Sequence, residues 1–338
     1  MGLPQSGSSN VISDIRLFYL HSCAARCTFA SQQEGRTSVL KPDRSQKRLG
    51  KSDLNVGPIS YGHWRLAEGS AAEAGDKTRA ALDAGMTMID TASIYGFPDF
   101  GAAESLLGEV LKDEPSLRQK MVLATKAGIY PPTPYDCTPD TIVETCEASL
   151  RRMNTDVIDL FYIHRPDMLT PHADVAEGLM RLVEAGKVRE IAVSNYTPSM
   201  FAALQSKLDR PLIANQVEFS AMRQDPVWDG TLDQCQQYDS TLIAWSPLGG
   251  GELMTQDAGE KSQAGAVAAA LDAVAVRNRV DRGAAALAFT MISHPGIVPI
   301  IGTQRVNRIA EANAALDVEM TREEYYQIVV AWRGVGLP

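Results

Sequence analysis

The chain has 338 residues, of which 45% are hydrophobic and 22% charged, with a formal net charge of −9 at pH 7. This balance is typical of globular proteins and argues against fibrous or disordered chains. The negative charge argues against a general nucleic-acid binder. The longest apolar stretches, 265–276 and 284–292, are shorter than the roughly 18–20 residues that span a bilayer. We therefore expect no nucleic-acid partner and no membrane partner.

The first 52 residues differ in charge from the rest of the chain. Residues 1–50 carry seven Lys or Arg against three acidic residues, whereas residues 51–338 carry 25 against 38. We predict that residues 1–52 are a disordered extension or a transit segment, and that residues 53–338 are one domain. Five irregularly spaced cysteines argue against a disulfide scaffold or a zinc site and favour a reducing compartment. We expect a cytoplasmic protein, with organelle targeting by residues 1–50 as the alternative.

Beyond Asp53, short β-branched runs alternate with longer amphipathic segments, a pattern that predicts βα units and a parallel sheet. The strand starts recur about every 34 residues, close to the roughly 31 residues per unit of a typical eight-stranded barrel. The sequence therefore predicts an α/β protein with a single (β/α)8 TIM barrel and C-terminal helices. The eight predicted strands are residues 58–61, 87–90, 122–126, 158–164, 190–194, 213–217, 242–246 and 297–301.

Hydroxyl residues followed by proline predict the starts of three helices, because Thr is a good N-cap and Pro suits the first helical position. Residues 306–316 and 321–332 are predicted as two helices at the end of the chain. Residues 252–264 are predicted as a long loop after the seventh strand, at the face where loops shape substrate access. The three predicted helix starts are Thr138-Pro139, Thr170-Pro171 and Thr197-Pro198.

Ionisable side chains close three consecutive predicted strands. Asp90 ends the second strand, Lys126 the third and His164 the fourth, and Tyr95 follows Asp90 by five residues. Alone, each has a structural explanation: a turn cap for Asp90, an ion pair for Lys126, a buried imidazole for His164. The active site of a (β/α)8 barrel lies at the carboxyl ends of its strands. The combination therefore favours a catalytic site over coincidence.

These four side chains suit proton donation to a carbonyl oxygen. A tyrosine with an ordinary pKa of about 10 is a weak acid, and a nearby ammonium lowers that pKa. We predict that Lys126 acidifies Tyr95 in this way. Asp90 would hold Lys126 by a charge-assisted hydrogen bond, and His164 would orient the substrate oxygen. Such a site requires a separate hydride donor.

The same residues lie in stretches that resemble the aldo-keto reductase superfamily over essentially all of residues 53–330. The stretches are 85–96 (GMTMIDTASIYG), 104–108 (ESLLG), 124–126 (ATK), 159–167 (DLFYIHRPD), 186–195 (GKVREIAVSN), 215–218 (NQVE) and 245–249 (WSPLG). The likeness is greatest to bacterial-type oxidoreductases with His-Arg-Pro-Asp and three glycines after the seventh strand. The resemblance implies NADPH-dependent reduction of an aldehyde or ketone, without a metal. It implies a catalytic tetrad of Asp90, Tyr95, Lys126 and His164.

The resemblance also implies a cofactor site. The residues that match a nicotinamide site are Ser194, Asn195, Gln216 and Trp245. The residues that match a pyrophosphate cradle are Ser246, Leu248 and Gly250. Those that resemble an adenosine 2′-phosphate site are Gly302, Thr303, Arg305 and Arg308, and the two guanidinium groups favour NADPH over NADH. The family commonly has Glu-Asn near the adenine, whereas this chain has Glu311-Ala312 with Asn313 one place later.

The substrate is expected to be a small carbonyl compound of a kind that the sequence does not specify. Loop residues at the same mouth would form an apolar wall, and Arg165 would either meet an anionic group or pair with Asp167. The residues expected in that wall are Trp64, Ile94, Phe97 and Tyr130.

Two other functions use the same residues. The resemblance extends to potassium-channel β subunits, so a regulatory subunit that senses its bound cofactor is one alternative. Oxidation of an alcohol or sugar in the reverse direction is the other. The oligomeric state and the direction of the reaction in the cell are left open by the sequence.

Overall fold

The computed structural model describes residues 38–66 and 69–338, so most of the predicted N-terminal extension lies outside the described residues. Eight parallel strands form a closed barrel, with neighbours in chain order. This confirms the predicted (β/α)8 fold, and each strand overlaps its predicted counterpart. The strands are β1 Ser60–Gly62, β2 Met88–Asp90, β3 Val122–Ala127, β4 Ile158–Ile163, β5 Val188–Ser194, β6 Ala214–Glu218, β7 Thr241–Trp245 and β8 Val298–Ile301.

Helices surround this barrel. The α-helices are α1 Ala71–Asp83, α2 Ala102–Asp113, α3 Pro139–Arg152, α4 His172–Glu184, α5 Pro198–Gln205, α6 Asp225–Trp228, α7 Thr231–Tyr238, α8 Glu252–Thr255, α9 Gln263–Asn278, α10 Arg282–Ile292, α11 Val306–Glu311 and α12 Arg322–Arg333. The 3₁₀-helices are Pro115–Lys120, Gly249–Gly251 and Ala312–Asp317, and two-residue strands are Val39–Leu40, Lys47–Arg48, Asn55–Val56 and Met320–Thr321. Over the described ranges, no helix has both the length and the apolar character needed to cross a membrane.

The predicted helix starts differ in their outcome. Thr197 caps helix α5, where its side chain accepts a hydrogen bond from the Met200 N–H, as predicted. The helix predicted to begin at Pro171 instead begins at His172, with Pro171 as its N-cap residue. Thr170 does not cap it because its hydroxyl donates to Asp167 at 2.6 Å. The predicted loop 252–264 contains the short helix α8, and the predicted helix 306–316 continues beyond α11 as a 3₁₀-helix.

A short hairpin covers the amino-terminal end of the barrel. Strand Lys47–Arg48 pairs antiparallel with Asn55–Val56, and Leu49, Leu54 and Val56 are buried in one cluster with residues of the barrel interior. The compact unit that contains the barrel begins at Leu40, thirteen residues before the boundary predicted between residues 52 and 53. The physical reason is that water would otherwise reach the apolar interior of the barrel at this end. Single apolar residues, which stand among Lys and Arg in the sequence, cover it.

Side-chain alternation divides the barrel interior into layers. Residues two apart in a strand point to the same side of the sheet. Fully buried apolar side chains in the lower interior are therefore followed, two residues later, by polar side chains at the carboxyl end. The pairs are Met88 and Asp90, Ala124 and Lys126, and Ala192 and Ser194. This order places the polar groups at the mouth.

A buried ion pair joins helices α2 and α3 to the barrel wall. Glu104 is fully buried, accepts from Thr125 Oγ1 at 2.5 Å and lies 2.6 Å from Arg152 Nη2. We expect Arg152→Met to lower the free energy of unfolding by about 3–5 kcal/mol, because the buried carboxylate would lose its cation. Urea denaturation measures this. As a control, Arg181→Met breaks an exposed pair with Asp140 and should cost about 0–1 kcal/mol; equal losses would contradict the prediction.

Candidate active site

The structure brings the four predicted side chains of the tetrad together at the carboxyl ends of β2, β3 and β4. Lys126 is fully buried, and its Nζ lies 2.6 Å from Asp90 Oδ2 and 2.8 Å from the Thr91 carbonyl oxygen. The Tyr95 hydroxyl lies 3.4 Å from the same Nζ. An ammonium has three N–H donors, so Asp90, Thr91 and Tyr95 together fix its direction.

His164 lies beside Tyr95. The two rings meet edge to face, with centroids 5.8 Å apart and planes at 80°. Burial lowers the pKa of His164 well below its ordinary value, and the cations Lys126 and Arg165 lower it further. The imidazole is therefore neutral at physiological pH, and it carries one N–H donor.

The pKa of Tyr95 corrects one prediction. Burial raises the pKa of the phenol above its ordinary value, and Lys126 opposes that rise without overcoming it. The sequence predicted a lowered pKa because the presence of a cation can be read from residue types, whereas the extent of desolvation cannot. For Lys126 itself, burial lowers the pKa, but Asp90 and then Tyr95 raise it above the ordinary value. Both groups therefore hold their protons through the neutral range.

A second group of polar residues links strands β5, β6 and β7 to the tetrad. Gln216 Nε2 donates to Asp90 Oδ1 at 3.0 Å, and Ser194 Oγ donates to the Gln216 carbonyl oxygen at 2.8 Å. Asn195 Nδ2 donates to the carbonyl oxygen of His164 at 3.1 Å. Its Oδ1 accepts from the Trp245 indole at 3.1 Å. The indole plane is thereby held in a fixed relation to the tetrad.

Left-handed backbone conformations turn the chain sharply where these strands end. Asn195 has φ 60° and Ser246 has φ 50°, each one residue beyond the end of its strand. Such values are uncommon outside glycine, and asparagine adopts them more readily than most residues. At Asn195 this turn accompanies two hydrogen bonds of the side-chain amide: Nδ2 donates to the His164 carbonyl oxygen, and Oδ1 accepts from the Trp245 indole.

Three glycines follow strand β7 in a tight turn. Gly249, Gly250 and Gly251 all have positive φ, a conformation that suits glycine. A Cβ added at Gly250 or Gly251 would meet no atom within 4 Å, so open space borders the backbone. Within the described residues, the N–H groups of Leu248 and Gly250 have no hydrogen-bond acceptor. The turn therefore presents backbone donors to its surroundings, a property that suits an anion.

Two exposed arginines follow strand β8. Neither Arg305 nor Arg308 has a carboxylate within 4 Å in the part of the chain that the structure describes. Thr303 lies at the base of this segment, where its carbonyl oxygen accepts from the Tyr61 hydroxyl at 3.0 Å, and Gly302 precedes it. Asn313 donates to the Ala84 carbonyl oxygen at 2.9 Å. The Asn313 side-chain amide thus has a hydrogen-bond partner within the protein. Asn313 lies one residue after the position where the family commonly has asparagine.

The residues predicted for the substrate wall form an open rim. Trp64, Phe97 and Tyr130 are 58%, 84% and 47% exposed, and Ile94 is half-buried. Three of the four therefore present exposed aromatic rings, on the loops after β1, β2 and β3.

Arg165 does not pair with Asp167, so that alternative is wrong. Asp167 accepts instead from the Cys137 N–H, the Leu169 N–H and the Thr170 hydroxyl. The Arg165 guanidinium lies 5.9 Å from the centre of the Trp245 ring.

A cleft of about 730 Å³ opens beside Gly249 of the glycine turn. It is bordered by segments after β6 and β7 and by the end of helix α12, including Met222, Gly249 and Val335. No member of the tetrad lines it. The buried ion pair of Lys126 and Asp90 lies in the tetrad instead.

The comparisons with known proteins agree with this geometry. The sequence model of the Aldo/keto reductase family matches residues 58–333. The chain belongs to the aldo/keto reductase family. It is 48% identical over 298 residues to a 6-dehydroglucose reductase of Novosphingobium aromaticivorans. The aligned residues cover 86% of this chain and 97% of that protein. It is 37% identical to the oxidoreductase YdhF of Escherichia coli, over 82% of this chain and 94% of that protein.

Solved structures resemble this aldo/keto reductase along most of its length. The thermostable aldo-keto reductase Tm1743 superposes with a TM-score of 0.73 at 25% identity, covering 85% of this chain and 99% of the other. The glycerol dehydrogenase AKR11B4 of Gluconobacter oxydans shares the fold, with a TM-score of 0.75 at 23% identity over 87% of this chain and 97% of the other.

Two residues of this aldo/keto reductase near the site were missed by sequence reasoning. Tyr162 is fully buried in the barrel interior, with its ring centre 5.7 Å from Lys126 Nζ. It precedes His164 by two residues, so strand alternation could have placed it on the same side. Arg65 donates to the Gly250 carbonyl oxygen at 3.1 Å, and no local pattern predicts a contact between residues so far apart in the chain.

Among the residues described, no three His, Cys, Asp or Glu side chains cluster as a metal site.

Proposed function

We propose that this aldo/keto reductase reduces an aldehyde or ketone to an alcohol, with NADPH as the reductant and Tyr95 as the proton donor. The observation that carries this proposal is the series of buried Asp90, buried Lys126 and partly buried Tyr95, whose oxygens lie 2.6 Å and 3.4 Å from Lys126 Nζ. General acid catalysis needs a donor that holds a proton and a means to stabilise the donor after the proton has left. Tyr95 and Lys126 have these two properties.

Each member of the tetrad has a definable task. Tyr95 gives its hydroxyl proton to the carbonyl oxygen as charge develops there. The Lys126 ammonium, held by Asp90, stabilises the phenolate that remains. Neutral His164 can donate its one N–H to the same carbonyl oxygen and so fix the position of the substrate. The hydrogen bond that Asn195 donates to the His164 carbonyl oxygen fixes the position of His164 relative to strand β5.

The residues beside the tetrad fit a nicotinamide dinucleotide, which supplies a hydride when bound. Ser194, Asn195, Gln216 and Trp245 would hold the nicotinamide, and the turn from Ser246 through Leu248 to Gly250 would hold the phosphates. Support comes from the N–H groups of Leu248 and Gly250, which have no acceptor among the residues that the structure describes, and from the open space before the glycines. Gly302, Thr303, Arg305 and Arg308 would hold a 2′-phosphate, which favours NADPH because guanidinium groups pair well with phosphate.

For the substrate, we propose a sugar aldehyde of the 6-dehydroglucose kind. Two relatives, from Novosphingobium aromaticivorans and Agrobacterium fabrum, carry the name 6-dehydroglucose reductase. The open aromatic rim and Arg165, which does not pair with Asp167, suit a polyhydroxylated molecule better than a closed apolar pocket would. Guanidinium donors can bind several hydroxyl oxygens at once.

The test is NADPH oxidation with a panel that contains 6-dehydroglucose, methylglyoxal, pyridoxal and an aldose. We expect multiple turnovers, with the highest kcat/KM for 6-dehydroglucose. If the protein turned over another carbonyl but not 6-dehydroglucose, the proposed sugar aldehyde substrate would be refuted. The proposed reductase activity would stand. A protein that binds NADPH as a tetramer, releases it very slowly and completes no second turnover with any carbonyl would refute the reductase. That result would favour a cofactor-sensing subunit.

A further inference from the structure

A tyrosine of the barrel interior lies beside the ammonium of the tetrad and has no task in the proton transfer proposed above. Tyr162, on strand β4, is the register partner of Lys126 on β3, and both side chains are fully buried. The centre of the Tyr162 ring lies 5.7 Å from Lys126 Nζ. Across residues 38–66 and 69–338, the Tyr162 hydroxyl has no hydrogen-bond partner. The contact between the two side chains is therefore made by the ring.

Two aromatic rings lie near the Lys126 ammonium. The centre of the Tyr95 ring is 5.1 Å from Nζ, slightly closer than that of Tyr162. A cation within about 6 Å of a ring centre is attracted by the electrons of the ring face, most strongly where water is absent. This attraction uses no N–H donor, so the three donors of the ammonium stay available to Asp90, Thr91 and Tyr95. Tyr162 can therefore fix Nζ without competing for a hydrogen bond.

Small side chains beside Tyr162 leave room for its ring. Its register partner on strand β5 is Ala192, and Ala124 precedes Lys126 by two residues on β3. Both alanines are fully buried and belong with Tyr162 to the apolar cluster of the barrel interior. A smaller residue at position 162 would open a cavity beside the ammonium, and a cavity with polar walls takes up water. Water there would weaken the attraction between Lys126 and a charged Tyr95 oxygen.

We infer that Tyr162 is a positioning residue for the reduction: its ring holds the Lys126 ammonium toward the Tyr95 oxygen and keeps water away from that ammonium. The inference rests on the proposed function, because it takes Tyr95 as the proton donor. Charge develops on the Tyr95 oxygen only as its proton leaves, so the position of Nζ matters most in the transition state. Tyr162 therefore raises kcat and has no effect on the binding of substrate.

The experiment compares Tyr162→Leu and Tyr162→Phe in the full chain by steady-state and single-turnover kinetics with NADPH and a carbonyl substrate. We expect Tyr162→Leu to lower kcat by about 10- to 30-fold, the size of a cation–π interaction away from water. The KM for the carbonyl and the affinity for NADPH should be unchanged. Tyr162→Phe should keep the wild-type kcat, because it retains the ring and loses only a hydroxyl without a partner.

A matched control is Phe161→Leu, which removes a ring from the neighbouring position of β4. Phe161 is fully buried, but successive side chains of a strand point to opposite sides of the sheet. It belongs to the cluster that the barrel forms with the surrounding helices, whereas Tyr162 belongs to the barrel interior. The control should lose stability as Tyr162→Leu does and keep the wild-type kcat.

A double-mutant cycle with Lys126→Met shows whether Tyr162 acts through the ammonium. In the Lys126→Met background, Tyr162→Leu should cause no further loss of kcat, whereas a merely structural role would give the same loss in both backgrounds. Urea denaturation of the same four proteins gives a second coupling that does not depend on turnover. We expect this coupling to be about 10- to 30-fold in the unfolding equilibrium constant, because the ring attracts the ammonium.

The outcomes separate this inference from the proposed function. If the wild type reduces carbonyls and Tyr162→Leu keeps its kcat, the inference is overturned and the reductase stands. Equal losses in Tyr162→Leu and Tyr162→Phe would also overturn it, because the hydroxyl and not the ring would then be responsible. Additive losses with Lys126→Met would do the same. Wild-type protein that turns over no carbonyl would refute the proposed function and the positioning role together.

Discussion

Replacing Tyr95 with Phe is expected to lower kcat for carbonyl reduction by about 10²- to 10⁴-fold, the usual contribution of a general acid. The substitution removes one oxygen atom and leaves the ring that packs against His164. Binding of NADPH should be unchanged, because the Tyr95 hydroxyl accepts its hydrogen bond from Lys126. Single-turnover kinetics with saturating NADPH and carbonyl measures the chemical step, and a fluorescence titration measures cofactor binding.

A matched control for this experiment is Tyr326→Phe, which removes a phenol hydroxyl from a partly exposed tyrosine on helix α12. It should leave kcat unchanged. If Tyr95→Phe retained wild-type kcat with several aldehydes, the proton would have to come from another group, and the role proposed for Tyr95 would be wrong. A loss of kcat accompanied by an equal loss of NADPH affinity would also contradict it.

Replacing Lys126 with Met is expected to lower both activity and stability. Lys126 and Asp90 are both buried, and their charges lie 2.6 Å apart. Removing one partner leaves a buried carboxylate without its cation, which typically costs about 3–5 kcal/mol of unfolding free energy. The kcat should fall because nothing would stabilise the Tyr95 phenolate after proton transfer. Urea denaturation and single-turnover kinetics measure the two effects separately.

The double variant Lys126→Met with Asp90→Asn separates the two roles of the pair. Because it removes both charges, part of the lost stability should return, whereas activity should not. A double-mutant cycle gives the coupling between the two residues. Full recovery of kcat in the double variant would show that the ammonium has no part in the chemistry.

The pH profile supplies a further readout for the Lys126 variant. Reduction needs the protonated phenol, so kcat falls as pH rises through the pKa of Tyr95. Burial raises that pKa above its ordinary value of 10.0, and Lys126 lowers it in part. Without the lysine the pKa rises further, and the fall in kcat should move to higher pH. A shift to lower pH would contradict the arrangement described here.

The barrel and the tetrad were readable from sequence because both depend on local patterns. Runs of apolar residues fix the strands, and the polar residue that ends each run marks the mouth, as with Lys126 and His164. The direction of the Tyr95 pKa was not readable, because it depends on how completely the phenol is desolvated. Nor was the contact of Arg65 with Gly250, because it depends on the shapes of two loops from strands that are not neighbours.

The difference between the predicted domain boundary and the start of the compact unit at Leu40 has a similar origin. Leu49 stands in a basic segment with no strand-like pattern, so composition groups it with the residues before it. Its full burial depends on the barrel interior, which is built from residues much later in the chain. When the residues that bury a side chain lie far away in the chain, the local sequence does not predict that burial.

The hairpin of Lys47–Arg48 and Asn55–Val56 has a practical consequence for protein engineering. Gly50 in its turn is packed against the backbone of Ile213, where an added Cβ would lie 2.6 Å from a carbonyl oxygen. A truncated variant that started at Asp53 would lack this cover at the amino-terminal end of the barrel, opposite the tetrad. Water would then reach the apolar interior of the barrel. Expression designs should therefore retain the chain from Leu40 onward, and affinity tags or fluorophores belong before that residue.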